Sequence, residues 1–214
     1  PLSNIKVVDL SAVLSGPLAA GYLADQGAQV IKIESFAGDI VRQMAGDSAG
    51  VSSGFIAGNR GKKGLSVDLK TDRGVDLVKS IAASADVLIQ NYRPGAVDRM
   101  GLGYEVIKDI NPRLVYCSIS GFGPVGPYAH KRVYDPVIQS LSGLADIQRD
   151  RDTGRPKMIR TVIPDKTTAL TAAQAITAAL LSRATTGEGQ HVEVAMIDAM
   201  IALVWAEGMS GFTR

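Results

Sequence analysis

Asp165 is the residue of this chain whose sequence setting is best suited to covalent chemistry. It follows a proline and opens a stretch rich in Ala and Thr, for which we predict a helix over residues 166–184. A carboxyl group there would lie at the positive end of the helix, whose dipole would hold it ionised. The small residues that follow would leave room for a ligand beside it. The segment therefore suits a carboxylate nucleophile, although a plain helix N-cap explains the same features.

The thiol and imidazole groups indicate no further chemistry. Cys117 is the single cysteine and lies in an apolar, strand-like run, so we predict a buried structural thiol and no internal disulfide. His130 and His191 are far apart and are not accompanied by further cysteines, so we predict no metal site. We likewise expect no tightly bound cofactor.

The composition is that of an ordinary globular chain. Its 214 residues are 46% hydrophobic and 21% charged, which predicts one large domain with a substantial core. The formal net charge is only +2, and the one dense basic run, residues 60–63, has no aromatic ladder, so we predict no nucleic-acid partner. No apolar run approaches the ~20 residues of a membrane span, and no signal-peptide pattern is seen. We therefore expect a cytoplasmic protein without membrane contact.

The hydrophobic pattern alternates strands with helices. A strand over 5–10, a helix over 16–25 and a strand over 29–34 predict a βαβ unit with a right-handed crossover. The class we predict is α/β, a Rossmann-like parallel sheet flanked by helices. The remaining predicted strands are 65–69, 87–90, 114–119 and 190–194; the remaining helices are 71–85 (capped by Thr71 or Asp72), 104–110, 136–145, 166–184 and one through Trp205. Residues 37–64 show no clear element, and residues 120–132 form a turn-rich loop of the kind that binds ligands beside such sheets.

A dinucleotide site is not predicted, in spite of the sheet. The segment after the first strand, residues 11–17, lacks the G-x-G-x-x-G that lets a pyrophosphate approach the backbone. Glu34 ends the second strand as a ribose-binding acid would, but the glycines define the fingerprint.

Taken together, segments along nearly the whole chain resemble the family III coenzyme A transferases, a family that also includes 2-methylacyl-CoA racemases. The matching segments, in order, are residues 2–17, 27–34, 59–63, 67–70, 91–101, 121–123, 134–135 and 186–198. The resemblance implies a large Rossmann-like domain built from both ends of a chain about twice this long, with a small domain between them. We therefore expect residues 1–214 to be the N-terminal part of the large CoA-binding domain, without the small domain. Full-length members form interlocked homodimers.

The resemblance also implies roles for individual residues. Asp165 matches the catalytic aspartate, whose carboxylate attacks an acyl-CoA thioester. The positions that match the coenzyme A site are Leu14, Ser15, Val67, Asp68, Leu69, Lys70, Asn91, Tyr92, Arg93, Arg99, Arg132, Tyr134 and Asp135. Arg99 matches a phosphate-binding arginine, and residues 67–70 match the strip around the adenosine. Ser35 departs from the arginine often found there, so the family's adenine clamp is not expected to be complete at this position.

The function implied is transfer of coenzyme A from an acyl-CoA to a carboxylic acid acceptor. The racemase branch has a histidine where this chain has Tyr134, and His130 lies four residues earlier in a loop. The transferase is therefore the favoured hypothesis, since a two-base proton exchange needs its imidazole. A racemase and a non-catalytic CoA-binding subunit of a heteromer stay as alternatives. The identities of donor and acceptor are not specified by these residues.

Overall fold

A computed structural model describes residues 1–44 and 51–212. Strands and helices alternate along the chain, as the hydrophobic pattern predicts. The strands are β1 (Lys6–Asp9), β2 (Gln29–Glu34), β3 (Lys62–Ser66), β4 (Val87–Gln90), β5 (Val115–Ser120) and β6 (His191–Ala195). The helices are α1 (Ser15–Asp25), α2 (Ser53–Asn59), α3 (Asp72–Ala82), α4 (Ala96–Arg99), α5 (Tyr104–Ile110), α6 (Asp135–Leu141), α7 (Leu144–Ile147), α8 (Ile163–Thr186), α9 (Met196–Leu203) and α10 (Trp205–Phe212).

The six strands form one parallel sheet in the order β3-β2-β1-β4-β5-β6. The chain runs outward from β1 to β3, then returns to the centre and runs outward again from β4 to β6. The loops after β1 and β4 therefore part from each other at the middle of the sheet, which is the usual ligand position in such folds. The predicted Rossmann-like α/β class is confirmed.

Small residues cover one face of the sheet. Helices α1 and α8 pack there through alanines such as Ala19, Ala20, Ala169 and Ala172, all fully buried with the strand residues beneath them. Small side chains let helices approach a sheet and each other closely, which explains the low aromatic content. The small residues after Asp165 thus serve helix packing, and the expectation that they leave space for a ligand stays a prediction.

The opposite face is packed by larger side chains from α3 and α5, including Val78 and Ile107 against Leu88 and Tyr116. A third cluster joins α6, α7 and α9 through Ile138, Leu144 and Met200. It anchors the first residues of α6 beside the sheet, which is the element that carries Asp135.

Several predicted boundaries are wrong, each for an identifiable reason. The third strand starts at Lys62, three residues early, because the Lys62 side chain is buried in an ion pair rather than exposed. The featureless stretch 37–64 contains a 3-10 helix at Ile40–Gln43 and helix α2; its residues 45–50 lie outside the described residues. The predicted helix 136–145 breaks at Gly143, whose φ of 84° is left-handed, and the last helix breaks at Val204.

Two predictions for single residues are confirmed. Thr71 is the N-cap of α3, and its hydroxyl accepts a hydrogen bond from Gly74 N at 3.2 Å. Cys117 is fully buried. Within residues 1–44 and 51–212, no helix combines the length and the apolar character that crossing a bilayer requires.

Candidate active site

A cleft opens at the carboxyl end of the sheet, between the loops that follow β1, β4 and β5. Its volume is about 320 Å³, which is at the lower end of the range for small-molecule sites. The first residues of α6 and α8 form its far wall. The cleft brings together eight of the residues predicted from the sequence: Ser15, Asn91, Tyr92, Arg93, Arg132, Tyr134, Asp135 and Asp165.

Two carboxyl groups meet in this cleft. Asp165 lies in the first turn of α8, and its backbone N–H donates to Asp135 Oδ2 at 3.3 Å. Asp135, in the first turn of α6, is buried, and its other oxygen accepts a hydrogen bond of 2.7 Å from Gln139 Nε2. Asp135 thus caps α8 from a neighbouring helix, because Val162 at the N-cap position offers no side-chain acceptor.

The environment raises the pKa values of both carboxyl groups. Burial, then the negative charge of Asp135, raises the pKa of Asp165 to about 6. Hydrogen bonds from the backbone N–H and the hydroxyl of Ser15 partly offset both effects. Burial also raises the pKa of Asp135, against bonds from Gln139 and Asp165 N–H and the charge of Lys166. The prediction that the helix N-terminus would hold Asp165 ionised is therefore wrong in direction, because the net effect of the surroundings is to raise the pKa of this carboxyl group.

The N-terminus of α1 faces Asp165. Helix α1 has no side-chain cap and no acidic residue in its first turn, so its first N–H groups point at the cleft without competition from its own chain. Ser15 is the first helical residue, and hydrogen bonding from its backbone N–H and hydroxyl lowers the pKa of Asp165 against the effects that raise it. The arrangement places a carboxylate, or an oxyanion formed on it, at the positive end of a helix of 11 residues.

The loop before Ser15 has an unusual backbone. Val13 has a φ of 68°, in the left-handed region that β-branched residues avoid. Such a conformation costs of order 1–3 kcal/mol and persists only where the surroundings enforce it. One enforcing residue is Asn91, whose side chain accepts from Ala12 N at 2.8 Å and donates to Ala12 O at 2.7 Å.

Cationic side chains line the mouth of the cleft. Arg93, Lys131 and Arg132 are exposed lining residues, and none of them makes a salt bridge within the described part of the chain. Lys131 Nζ lies 4.0 Å from the centroid of the Tyr128 ring. Tyr134 is 68% exposed. The exposed cations at the mouth of the cleft could pair with the negative charges of an anionic ligand.

Six predicted residues lie outside this cleft. Val67 and Leu69 pack into the core face under α3, and Asp68 Oδ1 accepts from Lys70 N at 3.0 Å in the turn after β3. Leu14 packs against the α1–α8 face, and Arg99 is exposed at the end of α4. Their predicted roles toward coenzyme A stay predictions.

Sequence reasoning missed several residues of the site. The lining also includes Val13, Lys131 and Met196, and Gln139 holds Asp135 from below. Of these residues, only Lys131 could have been identified from the sequence, because it is a charged residue directly before Arg132. His130 and His191 are not among the lining residues. Among the described residues, no three His, Cys, Asp or Glu side chains are grouped so that they could hold a metal ion.

The fold and the cleft define an α/β protein with a half-buried carboxyl group at a helix N-terminus and a cationic rim. The model of CoA-transferase family III matches residues 2–213, and the chain belongs to that family. The succinate–glutarate CoA-transferase of Agrobacterium fabrum is 39% identical over 98% of this chain and 54% of its own length. The formyl-CoA:oxalate CoA-transferase of Streptomyces avermitilis is 41% identical, over 94% of this chain and 49% of its own.

A solved structure gives the same result for the fold. A CaiB/BaiF family protein from Brucella suis superposes with a TM-score of 0.94 at 40% identity, covering 100% of this chain and 58% of its own. The chain thus spans about half the length of the curated relatives it matches.

Proposed function

We propose that this chain supplies the coenzyme A site and the nucleophile of an acyl-CoA:carboxylate CoA-transferase, as the N-terminal part of its large domain. The observation that carries the proposal is the position of Asp165, a half-buried carboxyl group facing the N-terminus of α1 in a cleft rimmed by cations. A pKa of about 6 keeps the carboxylate available at neutral pH while making it more basic, and so more nucleophilic, than an exposed aspartate.

The first half of the reaction exchanges the acyl group and coenzyme A. An Asp165 oxygen attacks the thioester carbonyl carbon, the C–S bond breaks, and a mixed anhydride and a CoA thiolate result. The thiolate then attacks the Asp165 carbonyl carbon, which releases the donor as a carboxylate and leaves coenzyme A bound as a thioester to Asp165. Each tetrahedral oxyanion would form near the Ser15 N–H, at the positive end of α1.

The second half repeats these steps in reverse with a new acid. The acceptor carboxylate attacks the Asp165 thioester, the C–S bond breaks again, and a second anhydride and thiolate form. Attack of the thiolate on the acceptor carbonyl carbon gives the new acyl-CoA and restores the Asp165 carboxylate. No proton needs to be transferred in the cycle.

The charges at the cleft support anionic substrates. Arg93, Lys131 and Arg132 are free to meet the phosphates of coenzyme A or a carboxylate of the acceptor. The relatives named above are, by name, transferases of succinate, glutarate or oxalate, which are all dicarboxylates. We propose a dicarboxylic acid as acceptor and a homodimer as the working form, with no tightly bound cofactor.

The test is trapping of the intermediate in the full-length protein. An acyl-CoA panel is supplied in heavy water, hydroxylamine is added, and peptides are examined by mass spectrometry. We expect a hydroxamate at Asp165 and no deuterium in the thioester. Asp165→Asn should abolish transfer while coenzyme A binding, measured by calorimetry, is largely retained. Asp146→Asn, which removes an exposed carboxyl group paired with Arg149, is the matched control and should transfer normally.

Other outcomes would select the alternatives. Deuterium at the α carbon with Asp165 unmodified would identify a racemase in which Tyr134 or another group replaces the missing histidine. Binding of coenzyme A without turnover, restored by a second gene product, would identify a non-catalytic subunit. Turnover retained by Asp165→Asn would exclude the nucleophile proposed here.

A further inference from the structure

The loop that delivers Ser15 to Asp165 is held by buried charges. Asp39 accepts hydrogen bonds from Val13 N at 3.2 and 3.1 Å, one to each carboxylate oxygen, and also caps the 3-10 helix through Val41 N at 3.1 Å. Its partner is Lys32 Nζ at 3.2 Å, and the two side chains are only 1% and 2% exposed. Lys32 also donates to Ser11 O at 2.8 Å. One ion pair therefore binds two successive parts of the same loop.

A second buried pair fixes the start of the loop. Asp9 accepts from the backbone N–H of Ser11 at 3.0 Å and from its hydroxyl, and it pairs with Lys62 Nζ at 2.8 Å, with both side chains at most 2% exposed. Lys62 Nζ also donates a hydrogen bond of 2.7 Å to the carbonyl oxygen of Pro17, which lies inside α1. Burying four charges costs free energy unless each charge is paired and hydrogen-bonded in a well-defined geometry. A loop that only connects a strand to a helix does not need two such buried ion pairs.

We propose that Asp39 is a positioning residue of the active site: held by Lys32, it fixes Val13 in its left-handed conformation and thereby aims the Ser15 donors at Asp165. The inference rests on the proposed function for its importance in catalysis, although the geometry is independent of it. Asp39 itself does not touch the substrate cleft, since Val13 and Ser15 line it and Asp39 does not.

The alternative is that the Lys32–Asp39 pair serves folding alone. A measurement of the pKa of Asp165 in a variant without Asp39 distinguishes a role in folding alone from the positioning role. Removing a negative charge from the region would, by simple electrostatics, leave the pKa of Asp165 unchanged or lower it. Loss of the Ser15 hydrogen bonds would instead raise it, because those bonds stabilise the ionised form. The variant leaves unchanged the other titratable and charged groups around Asp165. These are Asp135, Arg93, Lys131, Arg132 and Tyr134 in the lining of the cleft, and Lys166, whose charge acts on Asp135.

The experiment compares Asp39→Asn with the unaltered full-length protein. Carbodiimide reacts with protonated carboxyl groups, so the pH dependence of labelling at Asp165, followed by peptide mass spectrometry, reports its pKa without any turnover. We expect the labelling midpoint to rise by about one pH unit and transfer to fall at least about tenfold. The matched control is Asp25→Asn, which removes the exposed pair with Arg60 at the opposite end of α1 and should change neither.

A midpoint that stays or falls would overturn the proposal, whatever happens to the activity. If Asp39→Asn does not fold, the double variant Lys32→Met with Asp39→Asn decides, since it leaves no unpaired buried charge; its midpoint must also rise. If the unaltered protein transfers no coenzyme A, the proposed function fails, and the labelling midpoints still test the positioning role. The two failures are therefore distinguishable.

Discussion

Replacing the proposed nucleophile should make the protein more stable. Burial and the neighbouring charge of Asp135 raise the pKa of Asp165 to about 6 in the folded protein, against an ordinary value of 3.8. Above pH 6 the folded protein therefore keeps an ionised carboxyl group in surroundings that disfavour its charge relative to the unfolded chain. Asp165→Asn retains the shape of the side chain and removes the charge, so it relieves this unfavourable ionisation.

The magnitude follows from the pKa of Asp165. Each pKa unit corresponds to about 1.4 kcal/mol, so ionising Asp165 lowers the free energy of unfolding by at most about 3 kcal/mol above pH 6. Because the folded-state pKa is raised, the folded state binds the proton more tightly, and stability falls as the pH rises from about 4 to 6. The amide keeps weaker hydrogen bonds to Ser15, so we expect a net gain of about 2 kcal/mol at pH 8. The gain should be about half as large at pH 5 and absent below pH 4.

Urea unfolding of the full-length protein at fixed concentration measures this gain. Asp165→Asn is compared with the unaltered protein at pH 8, 5 and 4, and the loss of transfer activity is checked on the same samples. Asp146→Asn is the control, and we expect less than about 0.5 kcal/mol at every pH because its ion pair is exposed. A variant that is less stable at pH 8, or a gain that does not depend on pH, would show that the environment of Asp165 does not disfavour its ionised form.

Three further predictions concern single residues. Asp135→Asn should lower the pKa of Asp165 by about one unit by removing a like charge, so the loss of activity on acidification, seen in a pH–rate profile, should move to lower pH. Gly74→Ala should destabilise the protein by more than about 2 kcal/mol in thermal unfolding, because its Cβ would lie 2.0 Å from the backbone oxygen of Asp68. Burial raises the pKa of Cys117 to about 12, so iodoacetamide at pH 8 should label it only after unfolding, as peptide mass spectrometry would detect.

The sequence alone predicts the bounds of those elements whose buried residues are the apolar ones. β1, α1 and β2 lie within a residue or two of their predicted bounds because apolar runs and a terminating glycine define them locally. The predicted start of β3 is three residues too late because the strand begins with a lysine, a residue that is usually exposed. The burial of Lys62 depends on Asp9, which is 53 residues away, and no local pattern carries that pairing. Helix α2 was missed because Ser52, its cap, stands among glycines and polar residues typical of loops.

The site depends on the same kind of distant pairing. The resemblance to the family predicts that Asp135 and Asp165 belong to one site, but not that Asp135 caps the helix of Asp165 or that α1 begins opposite it. Two carboxyl groups in one cleft repel each other and an anionic ligand alike. The described structure balances them with the first turns of α1 and α8 and with three cations at the rim. If Asp165 is the nucleophile, as we propose, this balance would let a carboxylate be basic enough to attack a thioester and still share its cleft with an anionic substrate.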